Sequence, residues 1–434
     1  MVSLDSGVLA EKNTTSRAKI CGYTGLLVVL SVINWADKTV IGLVAQPLSR
    51  ELGLSASQIG LLGSAFFLTF TIGGFFAGLL NKWMTLRWSL TLLALAWAIS
   101  MLPAVVVASF AVLLVSRMVL GFTEGPTSAL VHAGMYTWHP VEKRGVPGAW
   151  LTGSASIAKI VVAPLLAVVI AAWGWRAAFA VLAAVSVVWC LIWLPTWKPG
   201  PYGEEAAARR HTPGGPEKVA WLKIILTPTC LGGAAAVFAM YGLATVVMMW
   251  LPSYFEVGLG FSSVQSGVMF ALPSIAALFF LFLSTSIGDR LLARGASPRV
   301  LRGVVPAAGL LACGIALVAL PLVTSAAVSV IVVSVGYGVG SIVFPLYNAA
   351  LSAICPPKQT AGSLGIFMGV MSISGLIAPL LTGVVIDFAA SPREGYALAF
   401  QIFGVAAIVG AAIALLTVNP IRDARRVLAT VQKP

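Results

Sequence analysis

The sequence predicts an all-α integral membrane fold of twelve transmembrane helices in two pseudo-symmetric six-helix halves, and three observations carry that expectation. Of 434 residues, 59% are hydrophobic and 9% charged, and the mean hydropathy is +0.98, far from the balance of a soluble domain. Long apolar runs recur, each matching the about 20 residues a helix needs to cross a bilayer, and they lack the alternation of a membrane β-barrel. An internal repeat supplies the third: Gly53-Leu-Ser-Ala-Ser-Gln58-Ile-Gly60 returns as Gly260-Phe-Ser-Ser-Val-Gln265-Ser-Gly267, 207 residues later.

Runs bounded by charge, Pro or Gly place the spans near 22–44, 56–80, 88–109, 110–136, 147–171 and 175–197. A second six follow near 228–252, 263–287, 300–323, 325–352, 362–386 and 397–418. The first span follows Lys19 and stops before Arg50; the second opens on the repeat and closes at Asn81-Lys82; the third starts after Arg87. The fourth ends before Trp138-His139-Pro140, the fifth lies between Gly145 and Gly174, and the sixth runs from Trp175 to Lys198. In the second half the seventh lies between Lys223 and Glu256, and the eighth runs from the second repeat copy to Asp289-Arg290. The ninth begins among Arg299 and Arg302, the tenth ends at Pro356, the eleventh at Asp387, and the twelfth lies between Arg393 and Pro420. The fifth and eleventh share Ala-Pro-Leu-Leu, at Ala163–Leu166 and Ala378–Leu381, where Pro164 and Pro379 are expected to kink both helices. The organisation is therefore an N-terminal half over 1–197, a polar Pro-rich linker over 198–223, and a C-terminal half over 224–434. Repeated halves around a central site are the plan of secondary transporters.

The formal net charge is +13, and its placement is topological. Of 27 Lys and Arg, 21 fall before the first span, in alternate connectors and in the tail, while only Arg50, Arg176 and Arg393 fall on the opposite side. That bias predicts cytoplasmic termini and makes nucleic acid an unsuitable partner. The start of the chain has no apolar core followed by a small-residue cleavage site, so no removed leader is expected. Cys21, Cys190, Cys230, Cys313 and Cys355 are scattered without metal-ligand spacing and read as free thiols, with no metal.

Five ionisable residues lie well inside the predicted spans, all in the first half: Asp37 and Lys38, Arg117 and Glu124, and Lys159. A charge at mid-membrane costs roughly 2.5–3.5 kcal/mol on the insertion scale, so these groups must face one another or a wet cavity. Arg117 and Glu124 are two turns apart on one helix face, and Asn34 and Lys38 are i, i+4. The five sum to a net positive charge with both acids ionised, and to a larger one with both protonated, which suits an anion. Burial favours the neutral acid and a neighbouring cation favours the carboxylate, so protonation of Asp37 or Glu124 would release a cation for the solute. Lys159 lies about 18 Å into its helix at 1.5 Å per residue, too deep to snorkel.

Three motifs carry a family resemblance: Asn34-Trp35-Ala36-Asp37-Lys38, Arg117-Met-Val-Leu-Gly121-Phe-Thr-Glu124-Gly125, and Trp250-Leu-Pro-Ser-Tyr254. With Trp138-His139-Pro140, Glu142-Lys143-Arg144-Gly145 and Gly174-Trp175-Arg176, the chain resembles a major facilitator superfamily transporter of the anion:cation symporter family, along nearly its whole length. The resemblance implies that fold, a bacterial inner-membrane location, a monomer without cofactor, and protons as the coupling ion. It puts Asp37 and Glu124 at proton-coupling positions, and Lys38 and Arg117 near the substrate carboxylate. The match departs in places. Lys38 replaces the usual Arg and loses its bidentate fork, Trp35 and Phe70 replace tyrosines, and Lys159 stands where a small or amide residue is expected. The family's loop motif is degraded at Asn81, Lys82 and Arg87 but keeps an acid–base pair at Asp289 and Arg290, and both copies are expected to act as gates.

Candidate substrate-binding residues are therefore Asn34, Trp35, Lys38, Phe70, Arg117, Lys159, Tyr241, Tyr254, Tyr347 and Asn348. Amides are scarce and aromatics plentiful, which favours a carboxylate with an aromatic or apolar body, either a mono- or a dicarboxylate, carried with protons by alternating access. A sugar-acid symporter is the alternative; an exporter or uniporter is a further one. A membrane enzyme lacks a catalytic constellation, and a channel lacks a continuous polar pore.

Overall fold

A computed structural model describes residues 17–140, 143–202, 219–356 and 359–428, with the backbone only at Arg17, Asn81, Gly145, Asp289, Ala361 and Leu428. The expectation of no leader, most of the 198–223 linker and Glu142 fall outside the described residues. Every described element is helical or a turn.

Eleven helices among the described residues are long and apolar enough to cross a membrane. The first is Arg17–Leu52, followed by Ala56–Gly74 with a short Ala77–Trp83, then Leu86–Val106. The fourth predicted span is the one missing from the eleven; it is two helices, Phe110–Glu124 and Thr127–Trp138, of 15 and 12 residues, and its apolar run is interrupted by Arg117 and Glu124. The break falls at Gly125-Pro126, where proline cannot donate to the turn behind it. The fifth is Gly145–Ile157 and Ala163–Trp173 joined by a π-helical turn, Ala158–Val162, and the sixth is Trp175–Thr196.

In the second half, Pro228–Ser253 runs into a π-helical turn at Tyr254–Gly258, and Ser263–Met269 into Leu272–Ala293. Val300–Val304, another π turn, opens Val305–Val318; Ala326–Gly340 and Val343–Ile354 form the tenth span. Thr360–Phe388 and Pro392–Thr417 complete the set. The widened turns at Ala158–Val162 and Val300–Val304 stand just before Pro164 and Pro306, which lack an N–H and crowd the preceding turn. Pro379 lies inside the α-helix Thr360–Phe388, with no widened turn before it.

The repeat has a clear physical basis. Gly53 and Gly260 adopt φ of 63° and 80°, in the left-handed region that glycine enters without strain. Each is followed by a reciprocal helix cap: Ser55 N–H donates to Gln58 Oε1 at 3.0 Å and Gln58 N–H to Ser55 Oγ at 3.2 Å. Ser262 and Gln265 repeat both bonds at the same lengths, satisfying two orphan donors at each helix start. The closing glycines then meet the other repeated motif or the residue just after it. A Cβ on Gly60 would lie 2.5 Å from the Pro379 carbonyl oxygen, and one on Gly267 would overlap the Ala167 Cβ.

The structure has two compact units. Unit 1 comprises the described residues of Met1–Lys38, Leu68–Ala158 and Arg176–Pro213. A tryptophan ladder on its sixth span, Trp189, Trp193 and Trp197, stacks at centroid spacings of 4.9 and 4.3 Å, and Tyr23 stacks on Trp138 at 4.4 Å. Each ladder indole that is buried needs an acceptor, and Trp189 and Trp193 find the Leu26 and Arg87 carbonyls.

Unit 2 comprises Thr39–Phe67, Lys159–Trp175 and the described residues of Gly214–Pro434. Within it, segments of the first half are tied to the second at the end of the spans poor in Lys and Arg. Asp387 accepts from the Ala56 and Ser57 N–H groups at 2.8 Å each, and Arg50 pairs with Glu256 at 2.7 Å. A carboxylate on two free N–H groups at a helix start is favoured by both hydrogen bonding and the helix dipole. At the opposite end a tail helix, Pro420–Leu428, places buried Asp423 against the Thr229 N–H at 2.9 Å and hydroxyl at 2.7 Å. Burial pushes the Asp423 carboxyl up, but hydrogen bonds from Arg422 and Thr229 outweigh it and hold the group below its ordinary value.

Candidate functional site

Four of the five intramembrane charges form one buried cluster in unit 1. Lys38 Nζ lies 3.0 Å from Glu124 Oε2, with the two side chains 4% and 0% exposed. One turn back on the same helix, the Asn34 side-chain oxygen accepts from Lys38 Nζ, and the Asn34 backbone oxygen lies at 3.4 Å. The ammonium also sits over the Trp35 and Phe70 rings, at 5.0 and 4.8 Å from their centroids. Lys38 is thus held by one carboxylate, one amide and two aromatic faces. This caging compensates a point charge for the planar fork that an arginine would bring.

Arg117 is 3% exposed and donates from Nη1 to the backbone oxygen of Asp37 at 3.0 Å. The Asp37 carboxyl is fully buried, and among the described residues neither of its oxygens has a hydrogen-bond partner; nor has Glu124 Oε1. With every member ionised the cluster is neutral, and each acid that takes up a proton leaves one positive charge in excess. An acid buried without bonded partners costs more ionised than neutral.

Close helix approach builds the cluster. Glu124 is the last residue of its helix, and a Cβ on the next residue, Gly125, would overlap the Phe70 carbonyl oxygen. Gly73 likewise has its Cα side against the Phe122 carbonyl. These two glycines let the second and fourth spans touch backbone to backbone, which brings Phe70 and Glu124 to Lys38.

Lys159 lies in unit 2, on the π turn of the fifth span, 8% exposed. Its Nζ lies 5.9 Å from the Tyr337 ring centroid, and among the described residues no acidic side chain pairs with it. A cation–π contact offsets about 0.5–2 kcal/mol, against roughly 2.5–3.5 kcal/mol for the charge at mid-membrane. Packing on Tyr337 alone does not account for this lysine.

The remaining candidates divide. Tyr241 is half-buried, with Phe67 and Phe344 edge-on at 6.4 and 6.5 Å, and Asn348 is half-buried. Tyr347 and Tyr254 are 1% and 3% exposed. The Tyr347 hydroxyl donates to the Gly303 carbonyl at 3.2 Å, and Tyr254 packs on Phe400 at 5.1 Å and Tyr396 at 6.1 Å. Both serve the helix core in this structure. Of the residues expected to act as gates, Lys82 and Arg290 are exposed, and the side chains of Asn81 and Asp289 lie outside those described. Arg87 donates from Nε to the Leu194 carbonyl at 2.6 Å and from Nη2 to the same oxygen, satisfying a free carbonyl at the end of the sixth span. Sequence reading missed Tyr337 as the partner of Lys159 and Gly125 as the close-contact residue. The Gly-Pro after Glu124 was the available signal for the latter.

The Major Facilitator Superfamily model matches residues 27–342. Among curated relatives, the probable sulfoacetate transporter SauU of Cupriavidus necator is 28% identical over 425 residues, covering 92% of this chain and 93% of that protein. The hexuronate transporter of Bacillus subtilis is 24% identical over 400 residues, covering 91% and 94%. The probable galactarate/D-glucarate transporter GudP of the same organism is 25% identical over 427 residues, covering 92% and 91%. Among solved structures, a bacterial homologue of the human lysosomal transporter Spinster, inward-facing and occupied, superposes with a TM-score of 0.79 at 17% identity, covering 97% and 100% of the two chains. A D-xylose–proton symporter does so with 0.74 at 16%, covering 92% and 98%. The helices, the repeated halves and these matches agree: the chain is a multi-pass membrane transporter, not an enzyme, and belongs to the Major Facilitator Superfamily.

Proposed function

We propose that the protein is a proton-coupled symporter of an organic carboxylate anion, working by alternating access between the halves 1–197 and 224–434. The observation that carries this reading is the buried pairing of Lys38 with Glu124 inside a cluster of two acids and two bases. A solute carboxylate competes with Glu124 for Lys38. Protonation of Glu124, or of Asp37, removes the competing negative charge and leaves the cluster ready for an anion, so solute and proton enter together. Lys38 and Arg117 hold the solute carboxylate, Asn34 positions Lys38, and Trp35 and Phe70 offer apolar surface to the body of the molecule.

Relatives named for sulfoacetate, hexuronate and galactarate support an organic acid as cargo. They also favour the second reading, a sugar acid. Against it, a polyhydroxylated body needs many hydrogen-bond partners, and Asn34 and Asn348 are the only amides in the middle of the spans. We place the termini in the cytoplasm from the charge sorting, and, from the family resemblance, the protein as a monomer in a bacterial inner membrane. The Asp387 and Arg50 contacts then belong to the outer face, and Asn81, Lys82, Arg87, Asp289 and Arg290 to the cytoplasmic face.

A thermal-shift screen of the purified protein against aromatic monocarboxylates, phthalate-like diacids and sugar acids, at pH 5.5 and 7.5, tests the reading. Stabilisation by aromatic acids, larger at pH 5.5, is expected. A response confined to sugar acids selects the second reading, and no response to any acid refutes both.

A further inference from the structure

We propose that Asp387 is the polar latch of the outer gate: its two bonds to the start of the second span hold that end closed, and their release is a step of the transport cycle. The inference rests on the alternating-access reading above and assigns the motion a positioning residue.

The contacts concerned all lie within unit 2, where residues 39–67 and 159–175 of the first half pack on the second. Three are close approaches of uncharged backbone. A Cβ on Gly42 would lie 2.5 Å from the Met248 carbonyl oxygen, one on Gly60 2.5 Å from that of Pro379, and one on Gly267 would overlap the Ala167 Cβ. Three more are polar: Asp387 with the Ala56 and Ser57 N–H groups, Arg50 with Glu256, and Gln46 Nε2 with the Tyr396 hydroxyl at 3.3 Å.

Magnitudes separate the polar three. The Arg50 side chain is 67% exposed, and exposed ion pairs contribute little. The Gln46 bond is neutral and long. Asp387 offers an ionised acceptor to two backbone donors at 2.8 Å each, and such charge-assisted bonds are about twice as strong as neutral ones. It does so at a helix start, where the dipole favours negative charge.

The internal repeat explains why the latch is at this copy and not the other. The first N–H groups of a helix have no partner within it. In the first copy the reciprocal cap takes the N–H groups of Ser55 and Gln58, so those of Ala56 and Ser57 remain, and they are the two that Asp387 takes. In the second copy the same cap, Ser262 with Gln265, leaves Ser263 and Val264. The eleventh span brings an acid to the first copy, eight residues after Pro379. The fifth span has no acid to bring: Ala163–Trp173 contains none, and it meets the second copy by packing Ala167 on Gly267. Charge secures the second span, and packing the eighth.

The Asp387 side chain is exposed, which suits a contact made to break. When the second span leaves the eleventh, water replaces the lost bonds at the carboxylate and at both N–H groups, so opening strands no buried charge. A buried carboxylate in the same place would make every opening far costlier.

Ser253 supplies a reporter. It is 1% exposed and lines a cleft with Gly42 and Gln46 of the first span, Ala167 of the fifth and Ser266 of the eighth, all in unit 2. The full-length Ser253→Cys protein, in right-side-out membrane vesicles, is treated with a membrane-impermeant maleimide, and the protein with native Ser253 gives the background. Adding Asp387→Ala should raise the labelling rate about fivefold or more, the effect of losing a helix-start acceptor. Arg50→Gln should change it by less than about twofold. Labelling at the parent rate with Asp387→Ala overturns the inference, as does an equal rise with Arg50→Gln. Should Asp387→Ala fail to fold, Asp387→Ser replaces it. If Asp387→Ala leaves the rate unchanged while an acid found in the screen shifts it, alternating access stands and this inference alone falls; if neither shifts it, both fall.

Discussion

Glu124→Gln and Asp37→Asn should each abolish solute accumulation driven by a pH gradient in proteoliposomes, while exchange of solute already loaded on both sides persists. The amides keep the shape of the acids but neither gain nor lose a proton, so the cluster can no longer trade a proton for an anion. A tenfold loss of coupling corresponds to roughly 1.4 kcal/mol. The two variants differ in one respect. Glu124 faces Lys38 at 3.0 Å, whereas the Asp37 carboxyl has no hydrogen-bond partner among the described residues. Glu124→Gln should therefore also raise solute affinity at pH 7.5, since it permanently removes the competitor for Lys38. Normal gradient-driven accumulation by both variants would refute the coupling assignment.

Lys38→Met should destabilise the protein by about 3–5 kcal/mol at pH 7.5, the cost of leaving one partner of a buried ion pair unpaired. Unfolding followed in detergent measures it. The sign with pH follows from which group is stranded. Glu124 loses its cation, so the deficit is largest where Glu124 is ionised and shrinks as the pH falls and the carboxyl takes up a proton. Adding Glu124→Gln to Lys38→Met should restore most of the loss, because the uncompensated charge is then gone. A double variant as unstable as the single one would mean that Lys38 stabilises the fold through Trp35 and Phe70 and not through Glu124.

Much of this was legible in the sequence because membrane physics leaves few choices. Hydropathy located the spans, and a charge inside a span has to find partners, so Asp37, Lys38, Arg117 and Glu124 pointed to one another before any coordinates did. Pairing was not legible. Two bases and two acids allow several arrangements, and the one found depends on helix rotation: Lys38 goes to Glu124, while Arg117 goes to the backbone oxygen of Asp37. Aromatic roles were legible least. A tyrosine in a span reads the same whether it lines a cavity, as half-buried Tyr241 is able to, or packs in the core, as Tyr254 and Tyr347 do. The break in the fourth span was signalled by Gly125-Pro126, yet composition alone ran through it. The repeat was visible as letters, and its reason, a positive-φ glycine and a Ser–Gln cap whose closing glycine meets the Ala-Pro-Leu-Leu region of the other half, became clear only with backbone geometry.

The central claim is that an organic acid and a proton cross together. The most direct test loads purified protein into liposomes with a trapped pH-sensitive dye, at equal pH on both sides and zero membrane potential, and adds the acid found in the screen to the outside. Proton symport predicts acidification of the lumen that follows the acid gradient, is absent in Glu124→Gln, and is absent in protein-free vesicles. Uptake of the labelled acid without any change in luminal pH would contradict the account.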